Sequence, residues 1–290
     1  MAIYVPDSKT KRWVIISETR SDRPIDIGTP QPPNTIQKKT DSCPFCPGNE
    51  HMTPPEVYRI GTGGKEEPGW QVRVVPNKFP ITDTHEVFIH SHSHDKDISL
   101  LSRSDAEQIF HAYRDRYLAH VTDGHVIIFC NHGKSAGASL SHPHSQLVVV
   151  PHQITFDSLS REPVRNIVES ADGFVSYCPD FSQWPYEVWI ASEGDSGTFG
   201  DASTSELATA VDILQKTILR LRAIHTKKQA EKPDDNKDPF SYNYYISHTE
   251  QWFIRVIPRF IHRAGFELGS GLSVNMASPK ETAEQLRNVI

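Results

Sequence analysis

The two halves of this 290-residue chain repeat one another, and the repeat restricts the fold more than any other feature. In the first half, Val75–Asn77 is followed by an apolar run, a helical pattern and two further apolar runs ending at Pro151. In the second half, Cys178–Asp180 is followed by the same succession, which ends at Pro258. These matches occur in one order, so they indicate a duplicated strand–helix–strand–strand unit.

A duplicated unit of this kind predicts the fold class and the domain boundaries. Antiparallel sheets with helices packed on one side form an α+β arrangement. We therefore expect an α+β fold of two tandem units, each an antiparallel sheet with helix packing, forming one compact chain. The domains are expected to span residues 1–160 and residues 161–290.

Local signals predict three helices and nine strands. Helices are expected from the capping box at Ser104–Glu107, from a second one at Ser203–Glu206, and from Ser278 with Pro279 at the first helical position. Short apolar runs predict strands over Arg12–Ser17, Val72–Val75, Glu86–His90, Val126–Cys130, Ser145–Val150, Phe174–Tyr177, Glu187–Ala191, Ser241–Ser247 and Trp252–Ile257. Residues 22–34 are expected to form an extended Pro-rich arm and residues 226–239 a solvated loop.

Composition excludes several classes of function. With 30 basic and 36 acidic side chains, the net charge of −6 gives no basic field for nucleic acid. No apolar run approaches the length of a membrane helix, and the first residues lack the apolar core of a secretory signal. Four cysteines do not form a disulfide framework. We expect a reduced, cytoplasmic enzyme that binds neither nucleic acid nor membrane.

Histidine is the exception in this composition, because eleven of its fifteen residues lie between His85 and His152. The central motif is His142-Pro143-His144-Ser145-Gln146, which opens a strand after a Gly-Ala-Ser turn. Alternate residues of a strand point the same way, so His142, His144 and Gln146 form a row on one face. Two surface histidines on a loop are the alternative. His85, His90 and His132 lie nearby in sequence but do not belong to this motif.

A second motif, Cys43-Pro44-Phe45-Cys46, presents two thiols to a single ion. Two further ligands are needed, and His90, His92, His94 and His142 are the candidates. A redox-active dithiol is the alternative, but the pair does not open a helix in a βαβ unit.

Laying Pro151 on Pro258 places His142, His144 and Gln146 over Thr249, Gln251 and Phe253. The second copy therefore lacks the histidines, and one active site is expected, in the first half.

Taken in order, these motifs resemble the galactose-1-phosphate uridylyltransferase family of the histidine-triad superfamily, including its nucleotide-hexose phosphorylase members. The resemblance runs through five segments: Arg12–Val14 with Arg20 and Arg23, Cys43–Glu50, Arg73–Pro80, Asn131–Gln146 and Ala264–Gly271. It implies that both units are histidine-triad-like, the first catalytic and zinc-binding, the second without the catalytic histidines.

The resemblance also implies roles for individual residues. The implied ligands of one structural Zn²⁺ are Cys43, Cys46, His94 and His142. His92 is the alternative to His94 as the third ligand. The nucleophile falls on His144, with Gln146 and Ser139 as donors to the phosphate oxygens. Substrate contacts fall on Arg20, Arg23, Phe45, Asn77, Asn131, Gly137, Phe266 and Glu267, with both arginines reaching a phosphate across a homodimer interface.

The expected reaction moves UMP, or another nucleoside monophosphate, between hexose 1-phosphates by a ping-pong mechanism through nucleotidyl-His144. A nucleotide-sugar phosphorylase or a nucleotide hydrolase is the alternative enzyme, and an inactive nucleotide-binding module is the alternative class. The partners are a nucleotide sugar and a sugar phosphate. Trp252–Val256 lacks histidines, so we expect no second metal. Since Phe260–Arg263 lacks lysine, His262 or Arg263 is expected to hold the hexose phosphate.

Overall fold

The fold is described from a computed structural model of the chain. The structure describes residues 2–7, 12–18, 20, 23, 40–154, 159–233 and 238–289. The chain divides into two compact units, one of Met1–Cys130 with Ala138–Leu159, the other of Asn131–Gly137 with Ser160–Ile290. The division of the sequence into two copies at residues 160 and 161 stays a prediction.

The first unit contains a hairpin, a five-stranded antiparallel sheet and one long helix. Strands β1 (Ile3–Pro6) and β2 (Trp13–Ile16) form the hairpin. The sheet has the order β3-β4-β5-β7-β6. Its strands are β3 (Tyr58–Gly61), β4 (Trp70–Pro76), β5 (His85–Ile89), β6 (His125–His132) and β7 (His144–Val150), of which β6 belongs to this unit up to Cys130.

Helix α1 (Arg103–His120) packs on β3 and β4 and closes the core of this unit. Phe88 and Tyr113, both fully buried, meet there edge to face with ring centroids 4.9 Å apart. The helix begins one residue before the expected capping box. Its N-cap is Ser102, whose hydroxyl accepts the Asp105 backbone N–H.

The second unit has the sheet order β11-β12-β10-β9-β8, also antiparallel. Its strands are β8 (Ile167–Ala171), β9 (Phe174–Tyr177), β10 (Val188–Ser192), β11 (Tyr242–Ile246) and β12 (Phe253–Pro258). Its helices are α2 (Thr204–Ala230), α3 (Gly265–Ser270) and α4 (Pro279–Arg287). Trp189 stacks on Phe253 with ring centroids 4.3 Å apart.

These elements confirm the predicted α+β class, the three helices and all nine strands. Helix α2 has the expected capping box at Ser203 and Glu206. It continues to Ala230, so the expected loop over 226–239 was wrong at its start. Lys227 and Lys228 lie in the last turn, where cations interact favourably with the helix dipole. Apart from Arg23, the expected arm over 22–34 lies outside the described residues.

Strand pairing corrects the comparison of the two copies. In the first sheet, Val87 pairs with Gln146 and Ile89 with His144. In the second sheet, the matching residues Val188 and Ile190 pair with Val256 and Ile254. The positions of His144 and Gln146 are thus occupied by Ile254 and Val256, three residues from the sequence overlay. Both are apolar, so the expected absence of histidine there holds.

Candidate active site and metal centre

Two cysteines and two histidines of the first unit converge on one point. The ligand atoms of Cys43, Cys46, His94 and His142 all lie within 4.8 Å of one another. His142 Nδ1 lies 3.7 Å from Cys43 Sγ and 3.5 Å from Cys46 Sγ, and His94 Nδ1 lies 3.3 Å from Cys46 Sγ. A tetrahedral zinc with its usual bond lengths separates sulfur and nitrogen ligands by about 3.6 Å. The residues present therefore fit a metal ion of this kind.

The hydrogen bond on the far side of His142 favours metal binding. Its Nε2 lies 2.9 Å from the Ser91 carbonyl oxygen, which can only accept, so Nε2 carries the proton. The lone pair is then on Nδ1, the atom that faces the cysteines. Metal-binding histidines commonly have such a second hydrogen bond, which orients the ring. Burial lowers the pKa of His142 to about 4, which keeps the imidazole neutral at pH 7.

The structure distinguishes the two histidines that compete in sequence. His94 lies in the Cys₂His₂ group, with its ring 5.4 Å from the ring of His142. His92 instead packs edge-on against Trp70, with ring centroids 4.5 Å apart. Burial raises the pKa of the Cys46 thiol to about 12, and Cys43 acts in the same direction. A cation between these sulfurs would favour their thiolate forms.

A buried polar network supports the loop that carries the two cysteines. Glu50 accepts hydrogen bonds from the Gly48 backbone at 2.8 Å and from the Trp70 indole at 2.9 Å. Arg73, almost fully buried on β4, donates to Glu56 at 2.9 Å and also pairs with Glu66. These bonds connect the cysteine loop to the sheet, and the sequence analysis did not identify them.

The predicted nucleophile has a defined tautomer. His144 Nδ1 lies 2.8 Å from the carbonyl oxygen of His142, which makes Nδ1 the protonated nitrogen. The lone pair is therefore on Nε2. Phe45 lies edge-on to this ring with centroids 5.3 Å apart and to the ring of His142 at 6.1 Å. His142 lies just before β7 and His144 is its first residue, so the hydrogen bond between them connects the metal group to the predicted nucleophile.

The predicted partner Gln146 lies in a hydrogen-bonded group. Its Oε1 is 2.9 Å from Nε2 of His85 and 3.4 Å from Nδ2 of Asn77, another predicted site residue. Sequence reasoning had left His85 without a role. The signal that could have identified His85 is its alternation with Val87 and Ile89, which places all three on one face of the strand that pairs with β7.

The structure also describes Ser139, Arg20 and Arg23, the other predicted residues of the first unit. Ser139 is buried in the segment between β6 and β7. Arg20 donates to the Phe79 carbonyl of its own chain at 3.1 Å, and both Arg20 and Arg23 are close enough to His85 to lower its pKa. Their contribution across a dimer interface stays a prediction.

Four predicted residues belong to the second unit. Asn131 accepts a hydrogen bond from Asn243 at 2.8 Å, and Asn243 also donates to the Ala136 carbonyl at 2.9 Å. Gly137 follows in the left-handed conformation, with φ of +80°, which glycine adopts without strain. Phe266 and Glu267 lie on α3, where Phe266 is exposed and Glu267 accepts the Ala264 backbone N–H.

Comparison with known proteins finds a family of unknown function and two similar enzymes. The N-terminal domain of a family of unknown function, DUF4931, matches residues 25–153. An ADP-glucose phosphorylase of Arabidopsis thaliana is 28% identical, over 98% of this chain and 92% of the relative. A galactose-1-phosphate uridylyltransferase of Thermotoga maritima is 23% identical, over 96% of this chain and 95% of the relative.

A solved structure shows the same fold. The crystal structure of an Arabidopsis thaliana ADP-glucose phosphorylase with bound ADP-glucose has a TM-score of 0.71, at 24% identity over 100% of both chains. The chain thus has the fold of this relative. Its homologues and structural neighbours are ADP-glucose phosphorylase and galactose-1-phosphate uridylyltransferases, which confirms the predicted resemblance. Within the described part of the chain, no helix combines the length and apolar character needed to cross a membrane.

Proposed function

We propose that this enzyme is a nucleotide-sugar phosphorylase that acts through a nucleotidyl-His144 intermediate. The observation that carries the proposal is the tautomer of buried His144, since the hydrogen bond from Nδ1 to the His142 carbonyl leaves the lone pair on Nε2. A neutral imidazole nitrogen is a competent nucleophile at pH 7. The relatedness to ADP-glucose phosphorylase supports inorganic phosphate as the acceptor. This was the alternative in the sequence analysis, and the relatives support it better than transfer of UMP between hexose 1-phosphates.

The reaction consists of two displacements at one phosphorus. Nε2 of His144 attacks the α-phosphorus of the nucleotide sugar, the bond to the bridging oxygen breaks, and hexose 1-phosphate leaves. An oxygen of inorganic phosphate then attacks the same phosphorus, the P–N bond breaks, and a nucleoside diphosphate leaves. Charge builds on the non-bridging oxygens in both steps, so donors placed in advance lower both barriers. Gln146 and Ser139 are the proposed donors.

The Cys₂His₂ group is proposed to hold one structural zinc. Cys43, Cys46, His94 and His142 would be its ligands, and their spacing fits a tetrahedral ion. When bound, zinc supplies a rigid cross-link between the cysteine loop and the start of β7. His142 precedes His144 by two residues, so this cross-link fixes the backbone carbonyl that sets the His144 tautomer.

The remaining predicted residues are proposed to bind substrate. Phe45, Asn77, Asn131 and Gly137 would contact the nucleotide. Arg20 and Arg23 would contact a phosphate, and Phe266 and Glu267 the sugar.

A uridylyltransferase is the second candidate, because the Thermotoga maritima relative matches over 96% of this chain. It differs in the acceptor of the second step, which would be a hexose 1-phosphate. UDP-sugars would then be the substrates.

A trapping experiment tests the proposal and separates the two candidates. The purified chain is incubated with ADP-glucose or UDP-glucose, and we expect about one acid-labile nucleotide per chain. His144→Gly should form none, whereas His152→Gly, which removes an exposed histidine just beyond β7, should form the normal amount. The isolated adduct is then mixed with inorganic phosphate or galactose 1-phosphate. Release of nucleoside diphosphate by phosphate supports the phosphorylase, and conversion only by the sugar phosphate supports the transferase. Absence of an adduct with both nucleotide sugars, or an adduct in His144→Gly, would refute the mechanism.

We also propose a homodimer and a cytoplasmic location. Phe266, Leu268, Leu272 and Met276 expose large apolar side chains within one short segment, which supports an interface. Sedimentation of the chain at the mass of a monomer would contradict the dimer.

A further inference from the structure

Two side chains of the first unit converge on the carbonyl oxygen of the predicted catalytic glutamine. Oε1 of Gln146 lies 2.9 Å from Nε2 of His85 and 3.4 Å from Nδ2 of Asn77. His85 and Gln146 are both almost fully buried, on neighbouring strands β5 and β7. The contact therefore forms in the protein interior, where two donors or two acceptors facing each other would lower the stability of the fold.

The tautomer of His85 follows from its other ring nitrogen. Nδ1 lies 2.9 Å from the backbone nitrogen of Ile81, whose N–H can only donate. Nδ1 therefore carries the lone pair and Nε2 carries the proton, which points to Gln146. Burial lowers the pKa of His85 to about 4, with Arg20 and Arg23 acting in the same direction, so the ring is neutral at pH 7.

The amide of Asn77 is oriented in the same way. Its Oδ1 accepts the backbone N–H of Phe79 at 2.8 Å, so Nδ2 is the end that faces both Gln146 Oε1, at 3.4 Å, and His85 Nε2, at 3.1 Å. Because the Ile81 N–H assigns the lone pair of His85 to Nδ1, the contact between Asn77 and His85 is a close approach of two donors and not a hydrogen bond. Both groups that reach the glutamine oxygen are thus donors. A flipped Gln146 amide would place its NH₂ group against two N–H groups and lose both hydrogen bonds.

The NH₂ end of Gln146 remains available to a ligand. Among the described residues, none accepts a hydrogen bond from Gln146 Nε2. Gln146 and His144 also lie two residues apart on β7, so both side chains are on the same face of the sheet. Two N–H groups are therefore available on the face that carries the nucleophile.

We propose that His85 is a positioning residue that fixes the Gln146 amide with its NH₂ group, and not its carbonyl oxygen, toward the phosphate that His144 attacks. This inference rests on the proposed function. An amide free to flip would present an oxygen to the anionic phosphate in part of the molecules. Fixing the amide supplies two donors in advance of the transition state.

A double-mutant cycle tests this role. In His85→Asn, the new side chain can still accept the Ile81 N–H but is too short to reach Gln146. In His85→Gln, the longer amide can restore a donor near the position of Nε2. Gln146→Ala removes the group through which His85 is proposed to act. The control is His111→Asn, a half-buried histidine on α1.

The measured quantity is the single-turnover rate of adduct formation at saturating nucleotide sugar. We expect His85→Asn to slow it roughly 10- to 100-fold, His85→Gln to recover most of the loss, and His111→Asn to leave it unchanged. In the Gln146→Ala background, His85→Asn should change the rate by less than about twofold, because the two residues act as one unit. A normal rate in His85→Asn, or losses that multiply in the double variant, would overturn the inference.

A second measurement reads the tautomer of His85 directly in the wild-type protein. The nitrogen-15 NMR signals of neutral histidine distinguish a proton on Nε2 from one on Nδ1, and the His85 signal is identified by its loss in His85→Gln. A proton on Nε2 supports the inference even if His85→Asn does not fold, and a proton on Nδ1 overturns it. A wild-type chain that forms no adduct refutes the proposed function and this inference with it, whereas a normal adduct rate in His85→Asn refutes the inference alone.

Discussion

Replacing His85 with glutamine should make the protein less sensitive to acid. Burial lowers the pKa of His85 in the folded chain from the ordinary value of 6.5 to about 4. Between these two pH values the unfolded chain binds a proton at this histidine and the folded chain does not. Stability therefore rises with pH in this range, and it is lost as the pH falls from about 6.5 to about 4.

The size of the effect follows from the two pKa values. A pKa of about 4 in place of 6.5 corresponds to about 3 kcal/mol of stability at neutral pH. Between pH 7 and pH 5, linkage gives a loss of about 2 kcal/mol from His85 alone. The variant lacks this titration. The stability difference between wild type and His85→Gln should therefore shift by about 2 kcal/mol in favour of the variant at pH 5.

Urea unfolding of both proteins at pH 7, 6 and 5, at equal metal concentration, measures this shift. His142 also has a pKa lowered by burial, but it is present in both proteins, so its contribution cancels in the difference. His111→Gln, in the half-buried position on α1, controls for the removal of a histidine as such. A stability difference that stays constant within about 0.5 kcal/mol from pH 7 to pH 5 would refute the buried, neutral state of His85.

The remaining predictions concern the metal group and the network beside it. Cys46→Ala should lower bound zinc from about one ion per chain to near zero and lower the unfolding midpoint, because structural zinc contributes to folding; elemental analysis and thermal unfolding check this. Cys178→Ala, a buried cysteine of the second unit, should keep the ion, and equal zinc content in both variants would contradict the site. Arg73→Met should cost about 1.5 to 3 kcal/mol in urea unfolding, because buried Glu56 loses its 2.9 Å partner on β4 while it keeps Arg59 at 2.6 Å. Arg103→Met, which breaks an exposed pair with Glu107, should cost less than about 1 kcal/mol, and similar losses in both would contradict the explanation.

Local patterns in the sequence were sufficient for most of the secondary structure. Apolar alternation and capping depend on residues a few positions apart, so nine strands and three helices could be predicted. The strands that were missed, β1, β3 and β8, are short and have exposed or half-buried residues throughout most of their length, so little apolar pattern marks them. The end of α2 was misplaced because a polar segment is compatible with both a loop and a solvated final turn.

The ordered motifs also predicted the resemblance to the galactose-1-phosphate uridylyltransferase family and the central residues of the candidate site. The spacing of Cys43 and Cys46 predicted metal binding, whereas the roles of His144 and Gln146 were implied by the resemblance. The choice between His92 and His94 did not follow from spacing, because both lie on one short segment and only its path in the fold brings His94 to the cysteines.

Tertiary structure alone decided the protonation and orientation of the side chains. The tautomers of His142, His144 and His85 are set by the Ser91 carbonyl, the His142 carbonyl and the Ile81 N–H, whose positions depend on the folded backbone. His85 acquires its contact with Gln146, 61 residues away, only because β5 pairs with β7 in one register. The sequence by itself thus predicted which residues carry the chemistry. The fold decided which nitrogen holds the lone pair and which end of an amide is presented, because hydrogen-bond partners distant in sequence are brought within about 3 Å only when the sheet forms.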